Sequence, residues 1–185
     1  QGSFIDSFSV FQANAYLNIS ASHGKLQKLF EVGNRLHAHT TDTILTLMPD
    51  PQAVSNPALG NQYYREPVSY SEGIPEGMFG TLDPNFNTVT KWGYLFLDRE
   101  HRSINLFNGQ VQEISAAGMK NFFKEFTDFC QSGCVDQKSE GIFWTMGVDH
   151  RHNRILITKN VNDDPEQSFT LSYDVERRVW RSFHD

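Results

Sequence analysis

The feature that most constrains this 185-residue chain is a strand, aspartate, charged turn and return strand that occurs three times. Tyr94 to Leu97 lead into Asp98, and Ile104 follows six residues later. Met146 to Val148 lead into Asp149, with Ile155 six residues on, and Thr170 to Tyr173 lead into Asp174, with Trp180 six residues on. Each intervening stretch is rich in charge: Arg99 to Arg102, His150 to Arg154, Val175 to Arg178. An aspartate that ends a strand can accept hydrogen bonds from backbone N–H groups of the turn and tie it closed. The apolar residue then restarts the chain on the buried side. Asp98, Asp149 and Asp174 are therefore expected to be structural turn residues. The first two lie 51 residues apart, near the period of roughly 40 to 50 for a four-stranded propeller blade. The last two are 25 apart, which fits two successive hairpins of one blade.

The rest of the chain divides around this repeat. Residues 1–23 read as an N-terminal extension. Residues 24–48 form a first β-hairpin unit, with Gly33-Asn34 as its turn and Thr40 to Asp42 as a second turn. Pro49 and Pro51 are expected to stop the sheet, because proline cannot donate to a ladder. Residues 49–77 hold five of the seven prolines and read as an irregular connection rich in Pro, Gly and Tyr. A long connection of that kind is usually functional or a surface insertion, and its aromatic Tyr63, Tyr64 and Tyr70 are the candidate contact residues. Residues 78–185 carry a β-meander, one helix and the later hairpins. Asn108-Gly109 marks a hairpin between Ser103–Phe107 and Gln110–Ile114. Ser115 is placed as the N-cap of an amphipathic helix over about 116–130, whose Met119, Phe122, Phe123, Phe126 and Phe129 recur at three- and four-residue steps.

Composition narrows the chemistry. Aromatic residues make up 13% of the chain, 15 of them Phe, a make-up that suits a pleated, half-buried surface. The net charge of −6 and the lack of any Lys/Arg cluster beyond two adjacent residues argue against direct nucleic-acid binding. No apolar run is long enough for a transmembrane helix. Cys130 and Cys134 stand in a C-x-x-x-C spacing that matches neither a redox motif nor a zinc site. His37 and His39 share one face of a strand, and His150 and His152 share a turn. Neither pair has further ligands at metal-binding offsets, so no metal is expected. Phosphate loops, a G-x-S-x-G elbow and an EF-hand are absent from the sequence, and no cofactor or catalytic residue is implied.

Several stretches resemble the large virion proteins of tailed bacteriophages, nearest to the tail-associated stabilisation or muzzle-type proteins of crAss-like phages. They are Gly24 to Leu29, Asn34 to Thr43, Trp92 to Arg99, Val111 to Lys124, Phe169 to Asp174 and Trp180 to Phe183. The resemblance covers residues 24–48 and 79–183 and consists of pattern strings, without a catalytic signature. It implies a non-enzymatic structural subunit of a virion, tail or portal-proximal, with other virion proteins and further copies of itself as partners. The expected fold is mainly β: a propeller-like array of antiparallel meander sheets with one inserted helix, part of a larger propeller and of a longer protein. The competing reading is a carbohydrate-binding or glycan-processing propeller, since one fold hosts both.

Overall fold

The computed structural model describes residues 17–50, 53–54, 64–65, 69–81, 86–98, 100–126, 142–161 and 165–184. The architecture is mainly β, with three antiparallel meander sheets packed face to face. The first sheet comprises β1 (Leu26–Val32), β2 (Arg35–Thr40) and β3 (Ile44–Thr46). Its first hairpin closes through Gly33-Asn34, with φ of 61° and 59°. Both values lie in the left-handed region that a two-residue type I′ turn demands, and Gly and Asn enter it at the least steric cost.

The middle sheet runs through β8 (Thr88–Thr90), β9 (Gly93–Asp98), β10 (Ser103–Phe107) and β11 (Val111–Glu113) in sequence order. The last sheet repeats that plan with β12 (Ile142–Asp149), β13 (Arg154–Val161), β14 (Phe169–Asp174) and β15 (Val179–His184). The first strand of the middle sheet, β8, packs against the first strands of both neighbours, β1 and β12.

Alternation along β9 and β10 explains the stacking. Every residue of these two strands is buried. Tyr94, Phe96 and Phe107 point towards the first sheet, where they meet Phe30 and Ile44. Leu95, Leu97, Ile104 and Leu106 point the other way, into a cluster with Trp144, Ile155, Ile157, Leu171 and Tyr173 of the last sheet. A strand buried on both sides needs an unbroken apolar run, and Tyr94 to Leu97 supplies one. The face of the last sheet turned away from that cluster is different. There Thr158 and Thr170 join their hydroxyls at 2.9 Å, and Ser172 and Ser182 join theirs at 3.1 Å.

Between residues 48 and 77 the structure departs from the expected irregular connection. β4 (Met48–Asp50) pairs with β7 (Ser69–Ser71), and β5 (Ala53–Val54) pairs with β6 (Tyr64–Arg65). Leu45 bridges Pro75, and the Glu76 N–H donates to the Ile44 carbonyl at 2.8 Å. The described part of this segment is thus a two-stranded ribbon that prolongs β3. Pro49 does not stop the strand but sits inside it, opposite Tyr70. In a two-stranded ribbon both strands are edges, and an edge strand tolerates a missing N–H. Gly73 allows the return strand to run close, since a Cβ there would lie 1.7 Å from the Thr46 carbonyl oxygen.

Two further boundaries shift. The Asn108-Gly109 hairpin is a three-residue loop: Phe107 pairs with Val111, Gly109 has φ 81°, and β11 begins at Val111 instead of Gln110. The helix α1 spans Lys120–Phe126 and starts four residues later than expected. Gly118 adopts φ 85°, which interrupts helical winding. Ser115 does not act as the helix cap. Its hydroxyl donates to Glu113 Oε1 at 3.0 Å and accepts from the Ile104 N–H at 3.3 Å, tying β10 to β11. Phe123 is fully buried, and Met119 and Phe122 pack beside it against the larger cluster. Phe129, Cys130 and Cys134 lie outside the described residues.

Candidate functional site

The three aspartate turns share one geometry. Asp98 Oδ1 accepts from the His101 N–H at 3.0 Å. Asp149 Oδ1 accepts from the Arg151 and His152 N–H groups at 3.0 and 3.2 Å. Asp174 Oδ1 accepts from the Arg177 N–H at 3.0 Å. In each case the aspartate pairs with the residue five positions on (Ser103, Arg154 and Val179). The residue four positions on is left-handed: Arg102 with φ 50°, Asn153 with φ 55° and Arg178 with φ 56°. A non-glycine residue there costs conformational energy, so the aspartate bonds are what hold the turn in place.

The second carboxylate oxygen is also used. His101 Nδ1–H donates to Asp98 Oδ2 at 2.8 Å, and His152 Nδ1–H donates to Asp149 Oδ2 at 2.6 Å. Arg181 takes that role at Asp174, with Nε at 3.2 Å and Nη2 at 3.0 Å. The Asp98 bond and charge raise the His101 pKa. The His152 bond lowers that of Asp149, and the Arg177 N–H followed by Arg181 lowers that of Asp174. The Asp-x-x-His spacing at 98/101 and 149/152 is the sequence signal for these pairs.

The turns share their chemistry but not their place in the fold. Asp149 and Asp174 sit in one sheet, at the β12–β13 and β14–β15 turns, and both flank Arg154 in register. This fits the expectation of two hairpins in one unit. Asp98 instead joins the second and third strands of its sheet. The 51-residue spacing therefore does not mark equivalent positions, because the chain adds a further strand and α1 before the last sheet begins.

The candidate contact residues are placed unevenly. Tyr70 lies on β7 of the ribbon and is 40% exposed, Tyr64 belongs to β6, and Tyr63 falls outside the described residues. Close to the base of the ribbon the structure adds three apolar side chains that the tyrosines drew attention away from: Met48, Ile74 at 73% exposure and Met78 at 83%. Apolar residues standing among glycines and prolines were the available signal.

His37 and His39 do share a face, and that face is the interior between the first two sheets. His39 donates from Nε2 to the Phe79 carbonyl at 3.1 Å, which leaves Nδ1 to accept from the Tyr94 hydroxyl at 2.9 Å. Burial, the largest influence, holds its pKa down to about 4. His37 stacks on Phe30 with ring centroids 5.1 Å apart. Among the described residues no three His, Cys, Asp or Glu side chains are grouped to hold a metal ion, and no helix is long and apolar enough to cross a membrane.

Searched against known proteins, the chain matches no family model and no curated protein.

Proposed function

We propose that this chain is a non-enzymatic structural component of a tailed-phage virion, a tail or portal-proximal subunit that acts through protein contacts with neighbouring virion proteins and with further copies of itself. The three meander sheets would be successive blades of a propeller-like array. Support for that arrangement comes from β8 lying between β1 and β12 and from the two inner strands of the middle sheet, β9 and β10, which have no face left for solvent.

The observation that carries the assembly role is the ribbon. It extends β3, and Met48, Tyr70, Ile74 and Met78 are exposed on or beside it. Large apolar side chains gathered at the surface favour docking against another protein surface. A two-stranded ribbon has two open edges, which invite β-pairing with a neighbour.

Mass photometry at micromolar concentration tests the reading. A ring or discrete oligomer is expected, and Ile74→Glu combined with Met78→Glu should return it to monomer. A strictly monomeric wild type that also fails to associate with purified phage particles refutes the proposal.

A further inference from the structure

Four turns of the middle and last sheets meet at one end of the stack. Joined there are β8 to β9, β10 to β11, β12 to β13 and β14 to β15, whereas the Asp98 turn joins β9 to β10 at the opposite end. Between the two sheets this end opens into a groove of about 650 Å³. Lys91 and Trp92 line it from the first of these turns, Asn108 and Gln110 from the second, Gln112 from β11 and Arg178 from the last.

The chemistry of the lining is selective. Both charged side chains are cationic, in a chain whose net charge is −6. Arg178 lines the groove from a left-handed backbone position, the fourth after Asp174. The Lys91 ammonium lies 4.6 Å from the Trp92 ring centroid and is steadied by Asn153 from the adjoining turn. Three primary amides (Asn108, Gln110 and Gln112) each offer both a donor and an acceptor, and side chains such as Leu106, Ile114 and Tyr173 line the rest of the wall. Such a set suits a ligand that carries a carboxylate and several neighbouring hydroxyls. The guanidinium pairs with the acid in a two-pronged geometry, the amides read the hydroxyls, and the indole supplies an apolar wall.

We propose that this groove binds an acidic saccharide, a uronic- or sialic-type sugar within a glycan chain. The site is separate from the ribbon and does not rest on the assembly role. Polyphosphate offers acceptors only and would leave the three amide carbonyls without a donor.

Isothermal titration with oligogalacturonate, with oligosialic acid and with a neutral glucan of equal length provides the test. One of the acidic chains is expected to bind at least tenfold more tightly than the glucan. Arg178→Gly should weaken that binding tenfold or more without unfolding the chain, because glycine suits a φ of 56°. Arg102→Gly alters the matching position of the turn at the far end and should leave binding unchanged. Failure of both acidic chains to bind, equal binding of the glucan, or equal loss in the two arginine variants would overturn the proposal, the last by revealing diffuse charge attraction.

Discussion

Acid should loosen the seam between the first and middle sheets through His39. The neutral ring is matched to its site: Nε2–H donates to Phe79, and Nδ1 accepts from the Tyr94 hydroxyl. A proton on Nδ1 would remove that acceptor and place a charge beneath Phe96, whose ring centroid is 4.8 Å away. The pKa of His39 is held down to about 4 in the folded chain, against an ordinary 6.5. The unfolded chain therefore binds the extra proton at a higher pH than the folded one. His39 contributes its full stability above pH 6.5 and loses it as pH falls towards 4. At about 1.4 kcal/mol per pH unit, the gap corresponds to roughly 3 kcal/mol, most of it gone by pH 4.5. Urea unfolding of wild type and His39→Gln at pH 7 and pH 4.5 measures it. Glutamine can keep one hydrogen bond on each side but has no proton to take up, so its stability should fall less over this range by roughly 2–3 kcal/mol. Every other titrating group is common to both proteins and cancels in the comparison. Equal losses in the two proteins would refute a buried, neutral His39.

Leu97→Ala in the middle sheet should cost about 2–5 kcal/mol by chemical denaturation, because Leu97 is 1% exposed and packed into the larger cluster. Asp98→Ala should destabilise by about 1–3 kcal/mol, and by more than Asp149→Ala, since Asp98 is buried and two turn donors lose their acceptor. His101 titrates in the opposite sense to His39. Its raised pKa gives stability below pH 6.5 that is lost as pH rises through the raised value, and His101→Gln should flatten that fall in a thermal-melt series from pH 6 to 9. Gly73→Ala should separate the ribbon from β3, seen as faster proteolysis between residues 48 and 77 with the remaining sheets intact.

Much of this fold is written in local pattern, and its gaps have physical causes. The aspartate turns could be read because an acidic strand end followed by an apolar restart six residues on is a short-range device. Their left-handed fourth residues could not, since two arginines and an asparagine stand where glycine would have been the sign. The Phe stripe of α1 was visible, but Gly118 moves the helix start, and the Ser115 hydroxyl serves the sheet, a tertiary use that no capping rule anticipates. Five prolines hid the ribbon, because the rule against proline in strands applies to interior ladders and this pair of strands is all edge. His37 and His39 were correctly placed on one face. What that face meets, Tyr94 and Phe96 more than fifty residues later, depends on how the sheets stack, which local spacing does not encode.

The middle sheet also governs how the molecule comes apart. Since β9 and β10 surrender no face to water, removing either flank would strip an entire wall of Phe, Leu and Ile bare. The two outer layers therefore cannot melt in turn. Heating should give a single calorimetric step, and a fragment severed between α1 and β12 should clump rather than persist as a smaller fold.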